Sequence, residues 1–583
     1  MLLLLGCGAC SPDSLINTID IEPEKENESG SSDTTTVAPV FDDTILAGDS
    51  ISGTNFDRTI RIVFADEGAQ VTGDVNNTVS VSGNHVTVNN TTDEKVIYEL
   101  TGTAQDGSLK LYSSKKQALV LNDVSLTNTT GAAINNQGKK KCFILVKGTN
   151  SLKDGASYDS TPADEDEKAA FFSEGQLIFS GDGTLMVTAQ GKSGIISDDY
   201  VHFMESAVVN VNSSAGHGIR GKEAVYISDG TISVNVSAYM KKGIASDSLV
   251  CINGGNTTIN VTGAAAYDSE DAEYKGTAGI KADYLFEMNG GTLDVTNTGT
   301  GGKGISGDLT GCFNGGTVRV TTKGSNYGSS SGSQHWGSSS SNSVSAKGIK
   351  FDGNLFFNGG TITVNCAAHE GIEAKGTITV KDGIVYSYSA ADDAINSGST
   401  FTIEGGYVCG YAVKNDGLDA NGNFYIKGGL VYAIGKTSPE VAVDANTEGG
   451  YKLHVSGGTI IAIGGLESGS DLAQSCYQST TWNDTTWYAM TVGRDVIAFK
   501  TPLSGGTPLV VSSNSEPILK SGVKVQSGTT VFEEMLLTDA SVTGGTEVSL
   551  SSYTGGNGGG FGPGGGRPGG GPGGGPGGPG GGW

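Results

Sequence analysis

The chain has 583 residues, of which 93 are glycine and only 17% are charged. Asp and Glu outnumber Lys and Arg by 62 to 36, which gives a net charge of −26. A surface this acidic repels nucleic acid and anionic membranes, so we expect neither as a partner. It suits divalent cations, although the need for solubility would also explain it. The length is enough for one large solenoid or for several ordinary domains.

The first residues read MLLLLGCGAC, in which Leu4-Leu5-Gly6-Cys7 is similar to a bacterial lipobox. Four leucines are too few for a whole signal peptide or a membrane span, so the pattern indicates a truncated lipoprotein signal with Cys7 as the lipidated residue. We interpret residues 1–40 as this signal followed by an acidic, Ser/Thr-rich tether. The expected location is the bacterial cell envelope, where a surface-exposed monomer would meet the membrane only through its lipid anchor.

A Gly-Ile pair, or a close equivalent, recurs along the middle of the chain. Successive pairs are mostly 23–25 residues apart, and the two longer intervals carry insertions at 264–278 and 325–345. Between the pairs lie short apolar alternations separated by turns such as Asn-Gly-Gly, with no helical period. The first residues of the pairs are Gly194, Gly218, Gly243, Gly279, Gly304, Gly348, Gly371, Ala394 and Gly417.

A repeat of about 23 residues with three short strands is the length of one coil of a parallel β-helix. A β-propeller would need roughly 40 residues per blade, and the calcium-binding nonapeptide repeat is absent. We therefore predict an all-β, right-handed parallel β-helix over residues 131–465. An N-terminal cap with the first coils (41–130) and a β-rich C-terminal cap (466–553) should close its ends. The Gly/Pro-rich tail, 554–583, should be disordered.

Six cysteines beyond residue 10 are scattered along the chain without a CxxC pair, which argues against a zinc site. Several of them fall inside apolar strand patterns, as in TVNC at residues 363–366. This placement predicts buried free thiols.

Three consecutive repeats, 23 residues apart, carry oxygen-bearing side chains around the pair. Equivalent positions on neighbouring coils are about 4.8 Å apart, and Ca²⁺ binds oxygen at roughly 2.3–2.6 Å, so two stacked carboxylates can share one ion. Without a cation the stacked acids repel, and one of them must take up a proton. Hard oxygen ligands favour Ca²⁺ over zinc or copper, whereas solvated loop acids are the alternative. The predicted ligands are Glu370, Glu373, Asp392, Asp393, Asn396, Asn415, Asp416, Asp419 and Asp444.

From about residue 95 to 550 the chain resembles bacterial carbohydrate-binding domain proteins that have a pectate-lyase-like parallel β-helix. The resemblance rests on LVLNDVSLTNTTGAAI, on FFSEGQLIFSGDGTLMVTAQGKSGI, on coils that end in NGGT, and on the acidic motifs HEGIEA, DDAIN and NDGLDA. It implies binding of a plant-type polysaccharide such as cellulose or polygalacturonate, with Ca²⁺ on the β-helix.

The family motifs E-G-I-E, D-D-G-I-N and D-D-G-L-N match residues 370–373, 392–396 (with alanine in place of glycine) and 415–419. In the third motif this chain has Asn415 where the family has Asp, and Asp419 where it has Asn. Both departures keep an oxygen ligand, so they shift the charge of the implied site without removing it.

Aromatic rings can stack on sugar faces, which makes four residues candidates for carbohydrate binding. Trp336 lies in the insertion at 325–345, and Trp482, Trp487 and Tyr488 lie in STTWNDTTWYAM. Burial in the C-terminal cap is the alternative for the last three.

Two other functions stay open. A calcium-dependent polysaccharide lyase would cleave uronate polymers by β-elimination and needs a Lys or Arg base of lowered pKa. Lys347, Lys350 and Lys375 lie near the acidic motifs, but nothing in the sequence marks one of them as that base. A non-catalytic surface adhesin would need none of these groups.

Overall fold

The computed structural model describes residues 46–328 and 343–555. These ranges are nearly all β-structure, interrupted by two single-turn 3₁₀ helices, Ile51–Gly53 and Thr447–Gly449. No helix in the described ranges is long and apolar enough to cross a bilayer. Equivalent strands of successive coils pair in parallel and in register, for example Ile195 with Ile219 and Ile219 with Ile244. The predicted parallel β-helix is confirmed.

Each coil contributes one strand to each of three parallel faces, named here in the order in which the chain visits them. The Gly-Ile sheet contains the strands that begin at or beside the recurring pair. The second sheet follows after a short turn, and the third sheet follows the Asn-Gly-Gly turn. At the N-terminal end the long strand Gln117–Thr127 pairs with the first strands of both the second and the third sheet.

The strands of the Gly-Ile sheet are Val79–Ser82, Asn84–Asn90, Gly107–Ser113, Ile134–Asn136, Ala169–Ser173, Ser193–Ser197, Ile219–Gly221, Lys242–Ser246, Ala278–Ala282, Lys303–Gly307, Ile349–Phe351, Ile372–Ala374, Ile395–Ser397 and Leu418–Ala420. Those of the second sheet are Cys142–Lys147, Leu177–Gly181, Tyr200–Phe203, Ala224–Ile227, Leu249–Ile252, Leu285–Met288, Thr310–Phe313, Leu355–Phe357, Ile378–Val380, Phe401–Ile403, Phe424–Ile426, Leu453–Val455 and Asp471–Leu472. Those of the third sheet are Thr149–Lys153, Thr184–Ala189, Val208–Ser213, Thr231–Val236, Asn256–Val261, Thr292–Asn297, Thr317–Thr322, Thr361–Cys366, Ile384–Ser389, Tyr407–Ala412, Leu430–Ile434 and Thr459–Ile463.

The core is a set of ladders in which the same position of each coil stacks on the next. The isoleucine of the pair is buried in coil after coil, and rings stack in the second sheet, as Phe313 does on Phe357 with centroids 5.0 Å apart. Glycine precedes the isoleucine because the backbone there lies against the third sheet. A Cβ at Gly304 would come within 2.1 Å of Val320 Cγ1. The recurring pair is thus a packing requirement of the coil.

Ala394 takes the place of this glycine in one coil. A smaller residue on the third-sheet strand of the same coil makes room for its methyl group. Val320 follows Gly304 by 16 residues, and Gly410 follows Ala394 by the same interval. The third-sheet strand of that coil therefore has a glycine where Gly304 faces a valine. The space given up by Gly410 accommodates the methyl group of Ala394, which is fully buried.

Additional strands lie outside the regular coils. Arg58–Phe64 and Val96–Ala104 continue the parallel stack before Gln117–Thr127, and Gln70–Thr72 pairs antiparallel with Arg58–Phe64. The insertion at 264–278 forms a hairpin of Ala266–Asp268 and Glu273–Lys275. At the C-terminal end Cys476–Ser479, Leu509–Ser512 and Ser551–Tyr553 pair antiparallel. A closed barrel of Trp487–Val492, Asp495–Lys500, Ile518–Phe532 and Leu536–Glu547 packs on tyrosines of the third sheet.

All six cysteines of the described ranges are buried and free, as the sequence predicts. They are Cys142, Cys251, Cys312, Cys366, Cys409 and Cys476. Burial raises the pKa of the Cys142 thiol and of the Cys409 thiol, so neither is ionised near neutral pH. These residues serve as small apolar side chains of the core.

Candidate functional site

Two rows of mostly polar side chains run along the outside of the Gly-Ile sheet. The outer row holds the residue that follows each isoleucine, and strand pairing aligns its members from coil to coil. They are Arg220, Ala245, Lys281, Ser306, Lys350, Glu373, Asn396 and Asp419. Bridges from Val443 to Leu418 and to Leu466 extend the row to Asp444 and Glu467. The row is cationic at one end and acidic at the other.

The flanking row holds the residue that precedes each glycine of the pair. Backbone hydrogen bonds join its coils one to the next, for example from Gly304 N to Lys347 O and from Gly348 N to Glu370 O. Its members are His217, Lys242, Ala278, Lys303, Lys347, Glu370, Asp393 and Asp416. This row changes sign at the same coil as the outer row, between Lys347 and Glu370.

Three predicted ligands meet at the acidic end. Carboxylate oxygens of Asp416, Asp419 and Asp444 all lie within 4.8 Å of one another. The amide of Asn396 donates to Asp419 Oδ2 at 2.9 Å and to Asp393 Oδ2 at 3.0 Å. Across residues 46–328 and 343–555, no lysine, arginine or histidine forms an ion pair with any of these three acids. We call Asp416, Asp419 and Asp444 the acidic triad.

The pKa values of the triad reflect this missing counter-charge. Burial, with the nearby charges of Asp419 and Glu440, raises the pKa of Asp416 to about 8. Burial and neighbouring carboxylates raise the pKa of Asp419 to about 6, and burial with a hydrogen bond to Glu467 raises that of Asp444 to about 11. Stacked carboxylates without a cation behave in this way, because one charge disfavours the next.

Glu370, Glu373 and Asp392 have cationic partners from the protein itself. Lys347 Nζ lies 3.0 Å from Glu370 Oε2 and also bonds Glu373, while His369 bonds Glu370 and lies 2.9 Å from Asp392 Oδ2. Burial opposes ionisation of Glu370, but the hydrogen bond from His369 and the charge of Lys347 lower its pKa to about 2. Glu370 is therefore ionised, and all three acids already have a positively charged partner.

Two bonds to carboxylates raise the pKa of His369 to about 9 against the effect of its burial. The imidazole is accordingly cationic at neutral pH and sits between two acids. Asn415 completes this group by donating from Nδ2 to Asp392 Oδ1 at 2.8 Å. The predicted ligand set thus divides into a compensated group around His369 and Lys347 and the uncompensated triad with Asp393 and Asn396.

The donor chemistry of the triad fits a hard divalent cation. Ca²⁺ takes six to eight oxygens at about 2.3–2.6 Å, and this group offers carboxylate oxygens without any thiol or imidazole. A third acid group, Asp166, Glu174 and Asp198, is different, because Lys168 Nζ lies 2.7 Å from Asp166 and 2.6 Å from Asp198.

Sequence reasoning missed Glu467. This residue follows Asp444 by 23 residues and occupies the next rung of the outer row, where its hydrogen bond helps to raise the pKa of Asp444. The signal was present, since Leu466-Glu467 repeats the apolar-acidic order of Leu418-Asp419. Gly465 precedes Leu466 as Gly417 precedes Leu418, so the glycine of the pair is kept as well.

The predicted sugar-binding aromatics lie mainly in the C-terminal cap. Tyr488 is only 2% exposed and stacks on Phe499, so neither face of its ring is open to a sugar, and the prediction for this residue is corrected to a core position. Trp482 is half-buried, with Nε1 donating to Gly506 O at 2.8 Å, and Trp487 is half-buried in a barrel strand. Trp336 and Cys7 lie outside the described residues.

A solved structure of a polysaccharide lyase-like protein from C. thermocellum, in a gadolinium derivative, is similar to this chain. It is 22% identical, with a TM-score of 0.36, over 44% of this chain and 96% of that chain. No curated protein matches. Residues 82–247 and 233–394 each match the family described as carbohydrate-binding domain-containing protein, and the acidic triad lies beyond these segments. Because the two matches together span more than half of the 583 residues, the chain belongs to the carbohydrate-binding domain-containing family.

Proposed function

We propose that this protein is a non-catalytic, calcium-containing polysaccharide-binding β-helix whose ligand is a uronate polymer such as polygalacturonate. The observation that carries the proposal is the acidic triad, in which three carboxylates lie within 4.8 Å of one another with no cationic partner in the described ranges. Membership of a carbohydrate-binding family supplies the class of ligand.

Calcium at the triad would link the protein to an acidic sugar. The triad, Asp393 and Asn396 provide part of the six to eight oxygens that Ca²⁺ takes, and a ligand carboxylate can supply others. The Gly-Ile sheet repeats the same outward positions about every 4.8 Å, which gives an extended chain a long, straight surface. A neutral polymer such as cellulose has no carboxylate to offer the ion, and we therefore favour the uronate.

The distance between possible bases and the triad favours binding over β-elimination. Lys347 pairs directly with Glu370 and Glu373, and these ion pairs raise its pKa against the effect of burial. Lys303, whose pKa burial and neighbouring lysines lower to about 8, lies four rungs from Asp416, which is roughly 19 Å at about 4.8 Å per rung. A base must lie within hydrogen-bond reach of the proton that it removes. Lys303 therefore cannot act on a sugar ring held at the triad.

The proposal includes a place in the cell. We expect the chain to be attached to the bacterial envelope as a monomer through a lipid on Cys7. Labelling of growing cells with radioactive palmitate tests this part separately, because a Cys7→Ser variant should lose the label. A label that persists in the variant would contradict the anchor and would leave the binding proposal intact.

The binding experiment is titration calorimetry of polygalacturonate into the wild type, in calcium and in EGTA. Asp416→Asn/Asp419→Asn keeps the shape of the site and removes two charges. Asp382→Asn, in an exposed turn of a nearby coil, is the control for a lost carboxylate. We expect EGTA and the double variant each to weaken binding by about tenfold or more, which is about 1.4 kcal/mol, and the control to change nothing.

Binding that is insensitive to both EGTA and the double variant would contradict the proposal. The same mixtures report on the lyase alternative, since β-elimination leaves unsaturated ends that absorb ultraviolet light. Absorbance that grows with time in calcium and not in EGTA would replace the binder with a lyase.

A further inference from the structure

The cationic half of the Gly-Ile sheet comprises the strands from Ile219–Gly221 to Ile349–Phe351, before the change of sign. It carries a cleft of about 720 Å³, which is the size of a ligand pocket. Its floor is formed by both rows, and the hairpin of Ala266–Asp268 and Glu273–Lys275 contributes Glu273 and Lys275 to its wall. Six Lys or Arg residues and four Asp or Glu residues line it, so that it is locally positive in a chain of net charge −26.

The cations at the edge of the cleft have carboxylate partners. Arg220 forms a forked pair with Asp247 at 2.7 and 2.5 Å. Lys281 lies 3.0 Å from Asp283 and also bonds Asp308. These pairs account for most of the acids in the lining and hold the walls in place.

Three other donors of the lining have no carboxylate partner among residues 46–328 and 343–555. Lys242 Nζ donates to Met240 O at 2.8 Å and forms no ion pair, and for Lys303 Nζ there is neither a hydrogen bond nor an ion pair to any described residue. His217 Nδ1 accepts from the backbone N–H of Lys242 at 3.1 Å, so its ring proton is on Nε2. Two ammonium groups and an imidazole N–H therefore line one cleft, and each can still donate hydrogen bonds to a ligand.

Spacing along the flanking row leaves room between the two lysines. Lys242, Ala278 and Lys303 occupy successive rungs, so the Cα atoms of the lysines are about 10 Å apart at two rungs of about 4.8 Å. The small side chain between them is a methyl group that lines the cleft. An anion above Ala278 would lie between both ammonium groups.

Keeping two poorly solvated charges without counter-ions costs free energy. Burial, together with neighbouring lysines, lowers the pKa of Lys242 and of Lys303 to about 8. Both groups are therefore still largely charged at neutral pH, in a position where an anionic ligand would relieve the cost. Burial, with the charges of Lys242, Lys241 and Arg220, lowers the pKa of His217 to about 3, which keeps its imidazole neutral and a donor through Nε2.

We infer that this cleft is a metal-independent binding site for an anionic substituent of a polysaccharide, either a carboxylate or a sulfate ester. Lys242 and Lys303 would hold the anion over Ala278, with His217 as a neutral donor beside them. The inference needs no ion at the acidic triad. If the proposed calcium site also exists, the Gly-Ile sheet would contact acidic sugars through a cation at one end and directly at the other.

The test measures binding in EGTA, so that failure of the calcium proposal leaves it unaffected. Probes are polygalacturonate, dextran sulfate, neutral dextran and a single-stranded oligodeoxynucleotide, each titrated by calorimetry into the wild type. We expect binding of at least one of the two anionic polysaccharides and none of neutral dextran. The stronger of the two anions identifies the substituent.

Two variants address the cleft in different ways. Lys242→Gln/Lys303→Gln removes the two charges, and Ala278→Glu places a carboxylate between them, which should satisfy both lysines and exclude the ligand without loss of thermal stability. Each should weaken binding about tenfold or more. The control, Lys323→Gln/Lys381→Gln, removes two exposed lysines elsewhere and should stay within about twofold.

Four results would overturn the inference. They are no anionic polysaccharide bound in EGTA, an equal loss in the control double variant, full binding retained by Ala278→Glu, and an oligodeoxynucleotide bound as tightly as the polysaccharide. The last would identify a general polyanion site instead.

Discussion

The two halves of the Gly-Ile sheet have the same backbone, the same pairing register and the same buried isoleucine ladder, yet they carry opposite charge. In one half Lys242 and Lys303 lack carboxylate partners within the described ranges, and in the other Asp416 and Asp419 lack cationic ones. The backbone of the coil fixes the position of each outward side chain. The charge of that side chain can therefore differ from coil to coil without a change in the fold. The residues of the two proposed sites thus lie in the outer and flanking rows, whereas the buried ladders hold the coils together.

Lys347 lies where the two halves meet, only 8% exposed, and pairs with Glu370 and Glu373. Lys347→Met should produce the largest effect, because it leaves Glu373 without a counter-charge and leaves the buried Glu370 with His369 alone. We expect a loss of about 3–5 kcal/mol in the free energy of unfolding, measured by denaturant titration in EGTA.

Lys375→Met provides the matched control, since the side chain of Lys375 is 61% exposed and, among the described residues, pairs with Asp352 alone at 3.1 Å. It should cost no more than about 1 kcal/mol. Equal losses in the two variants would mean that Lys347 is not the cation that neutralises this end of the acidic half.

We expect the core beneath the two halves to contribute equally to stability. Ile305 lies under the cationic half and Ile395 under the acidic half, at 0% and 1% exposure. Truncation of either to alanine should cost about 2–5 kcal/mol, because each leaves a cavity in a close-packed ladder. Denaturant unfolding of the two variants should give similar losses. A loss confined to one of them would show that the halves differ below the surface as well.

The solenoid could be predicted from sequence because its cause is local. The Gly-Ile pair recurs mostly every 23–25 residues, because the backbone at the glycine lies too close to the third sheet for a side chain. The same period aligns Glu373, Asn396 and Asp419 on neighbouring coils. The shared outward direction of these residues follows from the period alone.

The compensation of charge could not be predicted in the same way. Lys347 reaches the acids of the next coil and His369 bonds two carboxylates, and these contacts depend on side-chain conformation. The cleft was missed for another reason. Its wall is the hairpin at 266–275, and an insertion in the sequence does not reveal the surface on which it folds.

The third prediction concerns the metal. Calcium at about 100 times its dissociation constant should stabilise the protein by about 2.7 kcal/mol, since it binds the folded chain only, and EGTA should reverse the gain. Asp419→Asn should lose most of this stabilisation, and Lys303→Gln should keep it. Magnesium should give less, because it requires a smaller, near-octahedral site. A calcium effect that survives in Asp419→Asn would place the ion elsewhere.

The last prediction concerns pH dependence, measured in EGTA as the free energy of unfolding, and its effect per pH unit is the smallest of the four. The pKa of Asp416 is raised from 3.8 to about 8, so the folded state holds this proton more tightly than the unfolded chain does. Its contribution to stability is present below about pH 4 and is lost as the pH rises through about 8. The pKa of Lys303 is lowered from 10.5 to about 8, so the unfolded chain holds that proton more tightly, and stability rises between about pH 8 and 10.5.

Each group can change the slope by at most about 1.4 kcal/mol per pH unit, which is one proton. Asp416→Asn should flatten the fall below pH 8, and Lys303→Gln should flatten the rise above it, while Asp382→Asn alters neither. The two windows meet near pH 8, where the acidic half is losing its shared protons and the cationic half is losing its charge. If one substitution flattened both windows, the halves would be titrating as a single network, and the division of the sheet into two independent sites would be wrong.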